Sequence, residues 1–426
     1  MQQMNRRTAL QLGGGILALG LTGGRAYASA PKELKIGVIQ PQQGDCAQWG
    51  VPITRAVEMW AEDLSGQDGF LAGDGERYAL KVTGYDNVCY AAGDELKAAR
   101  RAVLDDGVRY LLQTYTPSCR QAIGPLTNDA KVLVTSYGAG FLSQDFPFLL
   151  GGETGQPTGN MLVASHVIET HPEIKRVAIL TADTSFAQAA RSYIQAGVAV
   201  HGSQAEIVYD GSYSAAATND MLGLLTPLID AKPDFVYEAG FTPGQKATMV
   251  STLEQLGFTG IYASETWEVA FIQQAGLLDA VAGRLFSGPA VDAQEPTFSP
   301  RANAFYKRYV EKYGVAEWAS WASATYAALG VFEVGLKASP SIEPETVMKT
   351  LYAMETVDHP IFGPSKWGGE EVFGANHHLY TPQPVYGVEK DGSSSISGVV
   401  PTSEWWAKNK LAALPVLKAG GQVYVK

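Results

Sequence analysis

From Lys35 onward the chain alternates short β-branched runs with longer amphipathic segments. Residues 34–39, 80–86, 110–112 and 132–134 read as strands, with helices predicted over 51–64, 91–105 and 121–129 between them. The pattern then starts again. Strands are predicted at 176–180, 205–209, 235–237, 261–263 and 284–286, and helices at 186–198, 219–231 and 245–256. Such alternation implies parallel sheets covered by helices on both faces. The glycine-rich stretch 151–159 between the two series has the composition of a hinge. A Pro-containing stretch then leads into helices predicted at 301–313 and 318–336. Two similar α/β lobes with a cleft between them is the architecture this pattern predicts.

Residues 1–30 stand outside that pattern. They hold Arg6, Arg7 and Arg25, no acid, and a weakly apolar run over 9–21 that ends before Ala28-Ser29-Ala30. This reads as a cleaved export signal, and Asn5-Arg6-Arg7-Thr8-Ala9-Leu10 resembles its twin-arginine class. The expected product is periplasmic, cleaved near Ala30. Loss of the three arginines takes the formal charge from −11 to −14, so nucleic acid is not an expected partner. The segment 318–336 is nearly long enough to span a bilayer, but its serines, glycines and Glu333 mark it as a buried helix of a soluble domain.

Three cysteines, Cys46, Cys89 and Cys119, suggest one disulfide and one spare thiol in an oxidising compartment. They form no CxxC or CxxH spacing, and the six histidines lack metal-ligand spacing, so no metal or cofactor is implied. The chain has no G-x-S-x-G elbow, H-E-x-x-H, P-loop or dinucleotide fingerprint. No histidine falls at a predicted strand end beside Cys46 or Cys119. An enzyme is therefore not expected, and a periplasmic hydrolase is the least favoured of the readings.

In open parallel sheets ligands sit beyond the carboxyl ends of strands. Those loops here contain Trp49, then Thr114, Tyr115, Thr116 and Ser118 opening a helix, then Tyr137-Gly138-Ala139-Gly140. In the second series they contain Phe186, Phe241, Glu265 and Trp267. Hydroxyls and amides at a helix start suit an anion, aromatics supply walls, and a carboxylate suits an ammonium group. Arg120 is placed to pair with a ligand carboxylate, Asp86 or Asp45.

Ile36-Gly37-Val38 followed by Gly44-Asp45-Cys46-Ala47-Gln48-Trp49-Gly50 resembles the opening of branched-chain amino-acid-type binding proteins of ABC transporters. Tyr85-Asp86-Asn87, Pro117-Ser118-Cys119, Val132–Ala139, Pro233–Tyr237 and Gly363-Pro364 with Trp367 continue the resemblance over about 34–390. It implies a type I periplasmic binding fold with three crossing segments. Lobe 1 would comprise 31–151 plus 288–362, and lobe 2 would comprise 152–287 plus 363–426. The implied function is to close on a small carboxylate- or amide-bearing ligand and deliver it, as a monomer, to a membrane permease; a sensor of the same fold is the alternative.

Carried over by residue, Ser118 and the Tyr137–Gly140 loop would take a carboxylate, Trp49 would cover the ligand, and Phe186 and Phe241 would face it from lobe 2. Gly140 stands where the family would place a threonine, Phe186 where it often has a tyrosine, and Glu265 is the nearest group for an ammonium. These departures, with the aromatics Trp49, Tyr115, Tyr137, Phe186, Phe241 and Trp267, favour an aromatic acid over an aliphatic amino acid. The resemblance also implies a Cys89–Cys119 disulfide, with Cys46–Cys119 as the alternative.

Overall fold

The computed structural model describes residues 30–44, 46–214 and 218–424. The expected leader therefore lies outside the described residues, as does Asp45. The first sheet is built from β1 (Lys32–Ile39), β2 (Phe70–Leu71), β3 (Arg77–Tyr85), β4 (Tyr110–Leu112) and β5 (Leu133–Thr135), in the order β2-β3-β1-β4-β5. All its pairings are parallel except β2 with β3. Ile36 through Ile39 and all of β4 and β5 are buried, which is why these strands read as unbroken apolar runs.

The second lobe starts with β6 (Arg176–Ala182), β7 (Glu206–Tyr213), β8 (Phe235–Ala239), β9 (Ile261–Ser264) and β10 (Leu285–Ser287). A small antiparallel sheet follows later, formed by β11 (Val357–His359), β12 (Gly363–Gly368) and β13 (His378–Tyr380). The chain then returns to the second lobe with β14 (Gln383–Val388) and β15 (Ser394–Val400), completing a seven-stranded sheet in the order β15-β14-β10-β9-β8-β6-β7. β14 and β15 pair antiparallel, so the parallel series ends at β10. The lobe boundary expected between 362 and 363 falls inside the β11–β12 pair.

The expected helix over 318–336 is two helices, Ser320–Ala328 and Gly330–Ala338. At Gly330 a Cβ would lie 2.6 Å from the His359 ring, so only glycine lets the chain turn this close to it. No helix among the described residues is long and apolar enough to cross a membrane. The segment after Trp405 belongs to the helix Thr402–Ala419, which packs on the helix Ser185–Ala199. Trp405 fastens it by donating its indole N–H to Ser165 Oγ at 3.1 Å.

Crossing segments between the lobes are tied to one another. Thr154 donates its N–H to Thr381 Oγ1 at 3.1 Å and its hydroxyl to Thr381 O at 2.6 Å, while Thr381 N–H returns a bond to Thr154 Oγ1 at 2.8 Å. Beside them lies Glu153, fully buried, with one oxygen accepting the Gly155 N–H and the other without a partner. Burial raises the Glu153 pKa from 4.5 to about 8. The unfolded carboxyl ionises near 4.5, so between these values the folded state holds the extra proton, and stability present at low pH is lost as pH rises to 8. Glu153→Gln is therefore expected to leave the urea midpoint unchanged near pH 4.5. Above pH 8 it should raise stability by up to about 5 kcal/mol. Glu95 and Glu238, each raised by burial to about 7, keep a residual slope in the variant.

Candidate functional site

The strand ends of both sheets converge on a cavity of about 450 Å³ between the lobes. Its lobe 1 wall starts with an irregular piece of backbone. Val88, Cys89 and Tyr90 have φ of 47°, 63° and 62°, three successive non-glycine residues in the left-handed region. Each such residue costs about 1–2 kcal/mol, so the run needs external support. Asp86 Oδ1 accepts from Val88 N–H at 3.0 Å and from Gln42 N–H at 3.1 Å. Asn87 donates to buried Glu95 at 2.5 Å, and the Cys119 thiol donates to Tyr90 O at 3.1 Å.

The last support is a disulfide between Cys46 and Cys89, with Cα atoms 5.2 Å apart. This corrects the expected Cys89–Cys119 bridge, and the Cys46–Cys119 alternative with it. The left-handed turn carries Cys89 toward the loop after β1, where Cys46 precedes the helix Ala47–Ser65. Cys119 stays a free thiol, buried in the helix Pro117–Asp129, and burial holds its pKa well above the ordinary value. Cys46, Cys89 and Tyr90 all line the cavity.

Tyr115, just after β4, is the centre of the aromatic wall. Its ring lies 5.4 Å from Tyr137 and 6.1 Å from Trp321, both in edge or tilted contact, and 6.1 Å from Phe186 of the other lobe. Its hydroxyl donates to Glu265 Oε1 at 3.3 Å. Glu265 also accepts from Asn160 Nδ2 at 3.5 Å, and Asn160 is itself held by the Tyr237 hydroxyl at 2.9 Å. Burial raises the Glu265 pKa, opposed by the charge of Lys246. The Lys246 ammonium donates to Thr266 O at 2.8 Å.

The lobe 2 rim is the turn Asp183–Ser185. Asp183 N–H donates to Tyr213 O at 2.9 Å, and Thr184 caps the helix Ser185–Ala199 by accepting from Ala187 N–H. Gly240 has φ 113° and its Cβ position is 2.6 Å from Ala182 Cβ, so this turn requires glycine. Thr242 and Gln245 form a capping box at the start of the helix Pro243–Gln255.

Of the residues expected at the site, Trp49, Tyr115, Thr116, Tyr137, Phe186 and Glu265 line the cavity. Phe241 lies one layer behind, stacked on Tyr213 at 4.2 Å, and it is Tyr213 that faces the cavity. Trp267 is buried, with its indole N–H on Phe286 O at 2.8 Å. Ser118 sits beside the cavity with its Oγ 3.1 Å from Ser185 Oγ. Gly138 and Ala139 are buried behind Tyr137, and Ala139 N–H donates to Gln156 O at 2.9 Å. Arg120 does not reach the cavity, since its guanidinium donates to Phe141 O and Leu150 O, and burial lowers its pKa to about 9. Sequence reasoning missed Tyr90, Tyr213 and Trp321; an aromatic at the end of β7 was the one signal available for Tyr213.

A family model described as periplasmic binding protein matches residues 33–393. The Leucine-, isoleucine-, valine-, threonine-, and alanine-binding protein of Pseudomonas aeruginosa is 24% identical over 343 residues, covering 79% of this chain and 86% of its own. The solute-binding protein of an R. palustris ABC transporter, solved with 4-hydroxybenzoate, superposes with a TM-score of 0.68 at 18% identity, over 87% of this chain and 96% of that one. A leucine-binding protein of Thermotoga maritima gives the same TM-score and identity, over 87% and 99%. The fold is thus the type I periplasmic binding fold.

The Cys46–Cys89 link closes a 43-residue separation. In the chain-entropy model such a loop contributes about 4 kcal/mol. The double variant Cys46→Ser, Cys89→Ser is expected to lose most of that in urea denaturation. Alkylation after denaturation without reductant should label Cys119 alone, as peptide mass mapping would read out.

Proposed function

The chain belongs to the periplasmic binding protein family, and from that premise we propose that it is the extracytoplasmic solute-binding component of an ABC importer. Its fold and family are those of binders, not enzymes. The ligand is a small solute with a planar ring, enclosed by hinge closure of the two lobes and delivered, with the protein as a monomer, to a membrane permease. Residues 1–30 act as a twin-arginine leader removed near Ala30. The lobes are proposed as 31–151 with 288–362 and 152–287 with 363–426.

One observation carries this reading. Tyr115 of the first lobe touches Phe186 and Glu265 of the second across a cavity that both lobes line. A ligand seated there contacts both lobes only when they are shut, so its binding energy favours closure. Trp49, Tyr137 and Trp321 add faces against which a ring can stack, the feature that made an aromatic acid the expected ligand.

The test is small-angle scattering and thermal unfolding of the exported protein against benzoates, benzamides, ring-bearing amines and leucine. A bound ligand is expected to shrink the radius of gyration and, at about 100 times its dissociation constant, to stabilise by ~2.7 kcal/mol. Trp49→Ala, at a half-buried position in the first helical turn, should weaken the best ring-bearing ligand roughly ten-fold without changing the unfolding midpoint of the free protein. Compaction with none of the ligands, or turnover of one, would refute the carrier reading.

A further inference from the structure

The cavity carries one sign of charge. Glu265 and Asp183 line it, and among the described residues no lysine, arginine or histidine does. The nearby buried cations do not line it: Lys246, whose charge is felt by Glu265, donates to the carbonyl of Thr266, and Arg120 donates to the carbonyls of Phe141 and Leu150. The donors expected to receive an anion are committed as well. Ala139 N–H bonds to Gln156 O, Thr116 N–H to Thr114 Oγ1 at 3.3 Å, and the Thr114 and Thr116 hydroxyls to each other at 3.0 Å. A carboxylate in this cavity would be a buried charge without a counter-charge, which is strongly disfavoured.

Glu265 has the opposite deficiency. It is 5% exposed, and it accepts hydrogen bonds from the neutral donors of Tyr115 and Asn160, at 3.3 and 3.5 Å. These are long bonds for an ionised carboxylate, whose charge-assisted bonds run near 2.7–2.9 Å. The same cavity is lined by Tyr90, Tyr115, Tyr137, Tyr213 and Trp49, aromatic side chains whose rings attract a cation placed over their faces.

We propose that the ligand of this cleft is a small ring-bearing organic cation, an amine protonated at neutral pH and lacking a carboxylate, with its ammonium group on Glu265 and its ring against the aromatic walls. This rests on the solute-binding reading and moves the ligand away from the aromatic acid expected from sequence. An amino acid satisfies Glu265 with its ammonium group but brings a carboxylate that meets no cation, so the cleft discriminates against zwitterions as well as anions.

Three probes of one size separate these cases: phenethylamine as cation, phenylalanine as zwitterion and 3-phenylpropionate as anion. Calorimetric titration of the exported protein is expected to rank phenethylamine first. Glu265→Gln, which keeps the shape and removes the charge, should weaken phenethylamine on the order of 30-fold, the scale of a lost charge-assisted bond. Asp183→Asn, at an exposed rim position, serves as the second variant and should weaken it less than three-fold while leaving folding intact. Tighter binding of 3-phenylpropionate or phenylalanine, or a phenethylamine affinity untouched by Glu265→Gln, overturns the cation assignment while the carrier reading stands. Silence from phenethylamine also overturns it, and silence from all three probes and the wider ligand panel removes the carrier reading too.

Discussion

The hydroxyl of Tyr115 against the Glu265 carboxylate is the contact on which the cleft depends. The tyrosine comes from the end of a buried parallel strand of one lobe, and the glutamate from the end of a strand of the other. Both residues lie just past the ends of sheet strands, Tyr115 after β4 and Glu265 after β9, so the pair joins the two lobes at the cavity floor. Everything else in the aromatic wall is arranged around that ring, with Tyr137 and Trp321 on its own side and Phe186 reaching it from across. Burial drives the phenol pKa well above its ordinary value, so the hydroxyl keeps its proton and stays a donor to Glu265.

The second constraint is the left-handed run at Val88–Tyr90. Left alone, these residues would relax toward the right-handed or extended regions. The disulfide to Cys46 and the bonds to Asp86, Asn87 and Cys119 oppose that relaxation from four directions. The consequence for the site is geometric. The run points Tyr90 inward and places the sulfur bridge at the cavity wall, next to Trp49. The bridge thus fixes the start of the helix Ala47–Ser65, and with it the Trp49 ring that lines the cavity.

The alternation of buried strands and amphipathic helices was legible because central parallel strands such as β4, β5, β8 and β9 are buried on both faces and helices such as Ala47–Ser65 keep an apolar stripe. Helix starts at Pro117 and Pro243 lie earlier than periodicity suggested, because a proline suits the first helical turn at each and Thr242 caps the second, not because of the apolar stripe. The strands β11–β15 were not legible. They are short and antiparallel, several carry polar residues on both sides, and their pairing is fixed by partners distant in sequence. At the site, the loops were found but not the direction of each side chain. Gly240 lines the cavity while its neighbour Phe241 backs it; Glu265 and Trp267 lie past the end of β9, where strand alternation no longer sets direction, and only Glu265 enters. Three left-handed residues in a row break the alternation altogether, and for that reason the partner of Cys89 was misread.

The same contact explains why closure should answer to a ligand. Across the cavity the contacts between the lobes include the Tyr115 hydroxyl on the Glu265 carboxylate at 3.3 Å and the Ser118–Ser185 hydroxyl pair at 3.1 Å, both replaceable by water if the lobes part. Bonds of that kind change little in free energy between open and shut states, since solvent substitutes for each. A buried carboxylate differs, because shutting the cleft strips its solvation. Closure on an empty cavity therefore carries a desolvation cost at Glu265, and closure on a donor that satisfies it does not. On the proposed carrier reading, the acid at the floor would favour the open state until a matching group arrives.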